Sequence, residues 1–266
     1  MDRGPMMPMP HILYRSLAAW WLMVVLASAP AALAEDFEVP LRLVLVGDST
    51  VCAYPTKSPT HGWGEFIQGR MRRRVEIVNL ARGGASTRSY WKEGWWDAAL
   101  REKPAMVLIQ FGHNDQSMKI DPTEYQLNLL RLIESARAAG ATPILVTPMQ
   151  IRVFDHRGRF VPSLTPYAAA MKQVAAEKGV PLIDLHNLSS QLYARLGPAG
   201  SAQLANLPGD TVHFNKLGAQ AMAELVLREL PAADPRLRRE VVTLAPPAQV
   251  VPGPPKPKKP PRPARS

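Results

Sequence analysis

The chain has 266 residues, of which 46% are hydrophobic and 20% charged, with a formal net charge of +10 and a single cysteine. This composition fits a folded domain and excludes a wholly disordered chain. One cysteine also excludes an intramolecular disulfide framework and any cysteine-rich zinc or iron–sulfur site. A charge this high is compatible with nucleic acid or an anionic surface as a partner, so its position along the chain decides how to interpret it.

The first 34 residues have the pattern of a secretory signal peptide. Arg3 and Arg15 both precede an apolar run from Leu17 to Ala29. This run is shorter than the roughly 20 residues that span a bilayer. The small residues of Ala32-Leu33-Ala34 then form a cleavage site before Glu35. We therefore predict cleavage after Ala34 and a secreted or periplasmic protein, with an uncleaved membrane anchor as the alternative.

The C-terminal segment, residues 233–266, is predicted to be a disordered, basic, proline-rich tail. Nine of the 22 residues from Ala245 onward are proline, which removes backbone donors and leaves little apolar surface to bury. Residues 233–266 carry +6 and residues 1–34 carry +1, which leaves +3 for residues 35–232. The domain is therefore not expected to bind nucleic acid. The tail is either a contact for an anionic envelope surface or a solubilising appendage.

Five short apolar runs within residues 35–232 predict the strands of a parallel sheet. Their apolar residues are nearly continuous rather than alternating, a pattern typical of strands that are covered on both faces. The runs are Leu41–Val46, Val75–Asn79, Met106–Phe111, Ile144–Thr147 and Val180–Asp184.

Helical periods lie between and after these runs. One helix is predicted from Asp121-Pro122 to Gly140, a second from Thr165-Pro166 to Gly179, and a last one after an N-cap at Asn215. Strand–helix alternation predicts an α/β fold with a parallel sheet and helices on both faces. Residues 152–162 are predicted to form a small hairpin insertion.

Polar residues and glycines follow the first three strands, at the sheet edge where functional loops lie. Ser49 follows the first strand, at a strand-to-helix turn that exposes a hydroxyl. The paired glycines Gly83-Gly84 follow the second, where residues without a side chain can bring a bare N–H up to a ligand. Asn114 follows the third and offers an amide donor suited to an oxyanion. Each of these residues also has an ordinary interpretation as a turn or cap residue.

Asp210 and His213 lie on one loop before the last predicted helix. A carboxylate three residues before a histidine can accept the Nδ1–H and leave Nε2 free as a base. Asp115 is the competing candidate for this orienting role. Taken together, the four loops supply a nucleophile, a base, an orienting acid and oxyanion donors, the complete requirement for acyl transfer.

These residues resemble the blocks of the SGNH (GDSL-like) hydrolases. Finer features resemble the rhamnogalacturonan acetylesterase group of carbohydrate esterases, and the resemblance covers about Leu41 to Leu230. The features are Gly47-Asp48-Ser49-Thr50, Gly62-Trp63-Gly64, Asn79 to Tyr90, Gln110 to Asp115 and Asp210 to Phe214.

The resemblance implies a three-layer α/β/α sandwich with a five-stranded parallel sheet, the flavodoxin-like SGNH hydrolase fold, over residues 35–232. It implies that Ser49 is the nucleophile, that His213 accepts its proton and that Asp210 orients His213. It also implies an oxyanion hole formed by the N–H groups of Ser49 and Gly84 and the side-chain amide of Asn114.

The function expected from this resemblance is an exported serine esterase that removes O-acetyl groups from a polysaccharide such as pectin (rhamnogalacturonan), through an acetyl-enzyme intermediate. Another SGNH activity, such as a lipase or thioesterase, and an O-acetylesterase of cell-wall glycan stay open as alternatives. In a different class, so does a non-catalytic glycan-binding envelope protein.

No cofactor and no metal ion is predicted. His113, Asp115, Asp210 and His213 are a conceivable set of metal ligands, but no HExxH-type spacing supports them and the serine would then have no role.

Four tryptophans and one histidine are interpreted mainly as structural residues. Of Trp91, Trp95 and Trp96, two are expected in the core, with Trp91 and Trp95 sharing one helical stripe; a sugar-stacking role is the alternative. Trp63 is expected to brace the turn that carries Ser49, and His113 to make structural hydrogen bonds beside the site.

Overall fold

A computed structural model describes residues 40–242, together with Met1. The predicted signal peptide and residues 243–266 of the predicted tail lie outside the described residues. In the part of the chain that is described, no helix is both long and apolar enough to cross a membrane.

Five parallel strands form one sheet in the order β2-β1-β3-β4-β5. This is the strand order of flavodoxin-like folds, in which the chain winds outward from β1 in both directions. The predicted α/β fold with five parallel strands is therefore confirmed. The strands are β1 (Leu41–Gly47), β2 (Val75–Asn79), β3 (Met106–Gln110), β4 (Thr142–Val146) and β5 (Leu182–Ile183).

Seven α-helices lie within residues 40–242. Three match the predicted helices, and their N-caps include Asp121 and Asn215, whose side chains accept the N–H groups of Thr123 and Gly218. The helices are α1 (Thr87–Lys92), α2 (Trp95–Arg101), α3 (His113–Ser117), α4 (Pro122–Ala138), α5 (Thr165–Lys178), α6 (Leu185–Ala202) and α7 (Lys216–Ala233).

The side chains of β1 explain why its apolar run is continuous. Leu43 and Leu45 belong to the hydrophobic cluster that includes α6 and α7. Val44 and Val46 belong to the cluster on the opposite face, which includes α1, α2, α4 and α5. Successive strand residues point to opposite faces, so a strand between two helical layers must be apolar at every position. The result is a three-layer α/β/α sandwich.

The segment after α7 corrects the predicted start of the tail. Helix α7 itself includes Ala233, and Leu237 in the following 3-10 turn is fully buried. Val241 then forms an antiparallel bridge with Met71. The segment is basic, as the rest of the predicted tail is, but its apolar residues pack against the domain. Residues 233–242 therefore belong to the domain and not to the tail.

The tryptophans after the Gly84 loop also differ in part from the prediction. Trp96 is buried and Trp95 is half-buried against the core, whereas Trp91 is 41% exposed. Two of the three do lie in the core, but Trp91 and Trp95 do not share a stripe. Gly94 has φ +70° and separates α1 from α2, so the helical periodicity does not continue from one tryptophan to the other.

Candidate active site

Ser49 lies on a turn directly after β1, and the turn is fixed from within. The fully buried Asp48 carboxylate accepts hydrogen bonds from the backbone N–H of Thr50 at 2.9 Å and from its hydroxyl at 2.7 Å. The carbonyl oxygen of Ser49 accepts a hydrogen bond from the Tyr54 hydroxyl at 3.0 Å. Ser49 itself is half-buried, so its hydroxyl is reachable from solvent while its backbone is held in place.

A chain of buried hydrogen bonds supports this turn from below. The side-chain amide of Gln110, the last residue of β3, donates to the Thr50 hydroxyl at 2.7 Å. Its carbonyl oxygen accepts the indole N–H of Trp63 at 2.8 Å. All three residues are at most 1% exposed. The structure therefore places Trp63 as a brace of the Ser49 turn, the role that the sequence favoured.

The histidine loop, defined as Asp210–His213, meets this turn through the imidazole. The Nε2 atom of His213 lies 3.1 Å from Ser49 Oγ, and Nδ1 lies 2.9 Å from Asp210 Oδ2. The other oxygen of Asp210 accepts the backbone N–H groups of Val212 at 2.7 Å and of His213 at 2.8 Å. The structure thus brings together the three residues that the sequence assigned to a triad, although they are separated by up to 164 positions.

Electrostatics fix the orientation of the imidazole. Partial burial by itself raises the pKa of Asp210, but the hydrogen bonds from His213 and Val212 outweigh it, so the pKa lies below its ordinary value. An ionised carboxylate only accepts hydrogen bonds, so Nδ1 of His213 must carry the hydrogen that it shares with Asp210. Nε2 is then the unprotonated nitrogen, and it faces the Ser49 hydroxyl.

Gly84 and Asn114 follow the two strands that flank β1, so their loops lie beside Ser49. Gly84 has φ +78° and is exposed, a conformation that a residue with a side chain adopts only with strain. Within residues 40–242, the N–H groups of Ser49 and Gly84 donate to no other residue. The Asn114 amide donates one hydrogen to the carbonyl of Ala85 at 2.9 Å, which orients the amide and leaves its second hydrogen available.

Asp115, the competing orienter, faces away from this arrangement. Its Oδ1 accepts hydrogen bonds from the N–H and the hydroxyl of Thr87, and its side chain is fully buried. Burial raises the pKa of Asp115 to about 6, with the Thr87 hydrogen bonds acting in the opposite direction. Among the described residues it is therefore Asp210, and not Asp115, that contacts His213.

His113 differs from the prediction that it makes hydrogen bonds. Within the described residues neither ring nitrogen has a hydrogen-bond partner, although Asp48 Oδ2 lies 3.5 Å from Nδ1 and forms an ion pair with the ring when it is protonated. Burial raises the pKa of Asp48, but the nearby His113 and the Thr50 hydrogen bonds together lower it below its ordinary value.

The sequence did not indicate the supporting roles of three residues beside the site, Gln110, Tyr54 and Arg152. Gln110 ends the otherwise apolar third strand, and this was a usable signal, since a buried polar side chain needs hydrogen-bond partners. Tyr54 lies only five residues after Ser49, but a tyrosine at that position has no pattern that marks it as a support of the turn. Arg152 carried no local signal, because the histidine loop that it binds lies about 60 residues away along the chain.

Comparison with known proteins gives the family. The GDSL-like Lipase/Acylhydrolase family matches residues 45–221. Rhamnogalacturonan acetylesterase RhgT of Bacillus subtilis is 37% identical over 223 residues, which cover 76% of this chain and 96% of that protein. The rhamnogalacturonan acetylesterase of Emericella nidulans is 41% identical over 231 residues, covering 76% and 87% of the two chains.

Solved structures give the same result for the fold. The crystal structure of protein YXIM from Bacillus subtilis superposes with a TM-score of 0.66 at 30% identity, covering 73% of this chain and 56% of that one. The family match covers the last residues of β1, strands β2 to β5 and every loop of the site, and it agrees with the resemblance drawn from the sequence. The chain therefore belongs to the GDSL-like lipase/acylhydrolase family of SGNH hydrolases and is a carboxylic ester hydrolase.

Proposed function

We propose that this protein is an exported serine esterase that removes O-acetyl groups from a polysaccharide such as pectic rhamnogalacturonan. The observation that carries the proposal is the pair of hydrogen bonds that runs from Ser49 Oγ through His213 to Asp210. The relatives named as rhamnogalacturonan acetylesterases support the substrate class. The N-terminal sequence pattern supports export.

In the proposed acylation step, Ser49 Oγ attacks the carbonyl carbon of the acetyl ester while Nε2 of His213 accepts the hydroxyl proton. Asp210 stabilises the imidazolium that forms. The carbonyl oxygen becomes an oxyanion that the N–H groups of Ser49 and Gly84 and the Asn114 amide bind. When the tetrahedral intermediate collapses, the ester C–O bond breaks and His213 gives its proton to the departing sugar oxygen, which leaves as a hydroxyl, so that Ser49 is left acetylated.

Deacylation follows the same route with water as the nucleophile. His213 Nε2 removes a proton from a water molecule, which attacks the acetyl carbonyl, and the same donors bind the second oxyanion. The bond to Ser49 Oγ then breaks, Ser49 regains its proton from His213, and acetate leaves. Ser49 is half-buried and Gly84 exposed, so the site opens to solvent, as a polymeric substrate requires.

The proposal is tested by measuring acetate released from acetylated rhamnogalacturonan, acetylated xylan and O-acetylated peptidoglycan, with Ser49→Ala as the blank. We expect the fastest release from rhamnogalacturonan. On chromogenic esters, rates should fall as the acyl chain grows beyond acetyl. Preference for long acyl chains would identify a lipase or thioesterase instead, and preference for peptidoglycan would identify a cell-wall glycan esterase.

Export is tested separately by mass spectrometry of the mature protein from the envelope fraction. We expect a mature chain that begins at Glu35, since Ala32-Leu33-Ala34 is the small-residue site that follows the apolar run. A mature chain that still begins at Met1 would contradict cleavage and favour the anchor.

A further inference from the structure

Arg152 contacts the main chain of every residue in the histidine loop. Its backbone and its guanidinium together donate to all four carbonyl oxygens of Asp210–His213, across about 60 positions of sequence. The backbone N–H of Arg152 donates to Thr211 at 2.9 Å. The guanidinium donates to Asp210 at 3.1 Å, to Val212 at 3.3 Å and to His213 at 2.7 Å.

The guanidinium of Arg152 is buried, and its charge is not paired with an acid among the described residues. Arg152 is 5% exposed, and its guanidinium carbon lies 4.6 Å from the centre of the Phe214 ring. Within residues 40–242 Arg152 forms no ion pair. Because burying a cation without an acid is costly, the guanidinium must be compensated by other polar groups. These are the carbonyl dipoles of the loop, the face of the Phe214 ring and the side chain of Tyr193, which also interacts with Arg152.

The histidine loop is thus held between two opposite charges. The Asp210 carboxylate accepts the N–H groups of Val212 and His213. The buried Arg152 guanidinium donates to the carbonyl oxygens of the same residues. The peptide groups are therefore fixed at both ends, and the imidazole position relative to Ser49 depends on both.

We infer that Arg152 is a positioning residue for the proposed hydrolysis: it holds the histidine loop so that Nε2 of His213 stays at hydrogen-bond distance from Ser49 Oγ. This inference rests on the proposed function of the same site. Arg152 does not touch the reacting atoms; it acts through the backbone of Asp210 and His213. Its removal therefore slows the chemical step while substrate binding stays close to normal.

The local structure around Arg152 has supports that do not depend on its side chain. Ile151 N–H donates to the Ser163 hydroxyl at 2.8 Å, and the N–H of Val161 donates to the carbonyl of Val153 at 2.9 Å. The backbone bond from Arg152 to Thr211 also survives any substitution except proline. Variants at this position are therefore expected to fold.

The test compares Arg152→Met and Arg152→Lys with the parent on a small chromogenic acetate ester, well below the melting temperature of each protein. Arg159→Met is the matched control, because Arg159 lies in the same hairpin, is exposed and binds Asp155 rather than the loop. We expect Arg152→Met to lower kcat roughly 100-fold, the scale for a catalytic group displaced by about 1 Å. KM should stay within about threefold of the parental value.

Arg152→Lys should recover part of the lost kcat, because the lysine ammonium group keeps the positive charge and can donate hydrogen bonds. It lacks the planar guanidinium that reaches several carbonyl oxygens at once. Arg159→Met should leave both constants unchanged. A kcat for folded Arg152→Met within about threefold of the parent would overturn the inference. So would a loss confined to KM, or an Arg152→Lys variant no faster than Arg152→Met, since lost packing would then explain the effect.

Two further measurements cover a variant that does not fold and a parent protein that is not an esterase. If Arg152→Met does not fold, Arg152→Lys decides alone: about a tenfold loss of kcat at unchanged KM supports the inference, and a parental kcat overturns it. The parent and Ser49→Ala are assayed first. An inactive parent, or an active Ser49→Ala variant, refutes the proposed function itself, whereas an active parent with an inactive Ser49→Ala leaves Arg152 as the only question under test.

Discussion

The turn that carries Ser49 and the histidine loop form the two halves of one site, yet they are stabilised in different ways. The turn follows a central strand and is held by several fully buried groups, including Asp48, Thr50 and Gln110. The histidine loop precedes α7, and the side chains of Asp210 and Arg152 supply most of its hydrogen bonds. The turn is therefore supported redundantly by the core, whereas the loop depends on single residues.

Removing the negative charge of Asp210 from the histidine loop should have the largest effect on activity. Asp210→Asn keeps an oxygen for the backbone N–H groups but loses the negative charge that fixes the His213 tautomer. We expect kcat on a chromogenic acetate to fall roughly 10³- to 10⁴-fold. The pKa of Asp210 is lowered from its ordinary value of 3.8. The carboxylate is therefore ionised at every pH above 3.8, and its charge is lost only as the pH falls through the lower pKa of the folded state.

Asp155→Asn is the matched control for this variant. Asp155 also accepts two backbone N–H groups, from Arg157 and Arg159, but lies on the hairpin away from His213. Its substitution should leave kcat unchanged. An Asp210→Asn variant with near-parental kcat would show that the carboxylate charge is not required.

Loss of the buried support of the Ser49 turn should affect the stability of the fold more than the activity. Gln110→Met fills a similar volume but leaves the Trp63 N–H without an acceptor, which should destabilise the fold by about 1–3 kcal/mol. Activity well below the melting temperature should fall less than about tenfold, because Asp48 and Tyr54 still hold the turn. Denaturant unfolding and kcat measure the two effects.

Gln116→Met provides the reference, because Gln116 is exposed on α3. It should change neither stability nor kcat. A Gln110→Met variant that keeps full stability but loses activity more than about 100-fold would mean that the turn depends on single residues, as the loop does.

Asp115 should affect stability through pH rather than activity. Its carboxyl is buried and its pKa is raised from 3.8 to about 6, so the folded protein binds a proton there that the unfolded chain has released. The contribution of Asp115 to stability should therefore fall as pH rises from about 4 to about 6, by on the order of 2–3 kcal/mol, and stay at the lower value above that range. Asp115→Asn should remove this fall, with exposed Asp97→Asn as the control. Parallel pH profiles for Asp115→Asn and the parent would contradict it.

The smallest effect is expected at the C-terminus. Deleting residues 245–266 should change the melting temperature by no more than about 2 °C and leave acetate-ester hydrolysis unchanged. Any effect should appear on anionic polymers and weaken with salt, since exposed charges are screened beyond about 8–10 Å. Deleting residues 234–266 should instead destabilise the domain measurably, because Leu237 is fully buried and burial of a leucine contributes about 1.5–3 kcal/mol. A large loss of melting temperature in the shorter deletion would show that the tail docks on the domain.

Local patterns predicted most of the sheet and three of the helices. Continuous apolar runs such as Leu41–Val46 reflect burial on both faces, and caps such as Asp121 and Asn215 mark helix starts by their own hydrogen bonds. The residues of the proposed triad were found because each follows a strand or precedes a helix. Their convergence in space is a consequence of the parallel topology, which the sequence also indicated.

Contacts between distant segments were not predictable in the same way. Helix α6 was missed because Gly197 and Pro198 interrupt its periodicity with a kink. Arg152 appeared only as the first residue of a hairpin insertion, since nothing near it in sequence shows the loop that it binds. The packing of residues 234–242 was missed because their composition is basic, while the apolar partner Met71 lies far away along the chain.

Ser49 is the proposed nucleophile of the ester hydrolysis. Its role is measured by combining Ser49→Ala kinetics with mass spectrometry of the parent enzyme quenched during turnover of a small acetate ester. We expect an acetyl group on the peptide that contains Ser49, and a loss of roughly 10³-fold or more in kcat/KM for the folded Ser49→Ala variant. Near-parental activity of that variant, or an acetyl group found on a different residue, would contradict it.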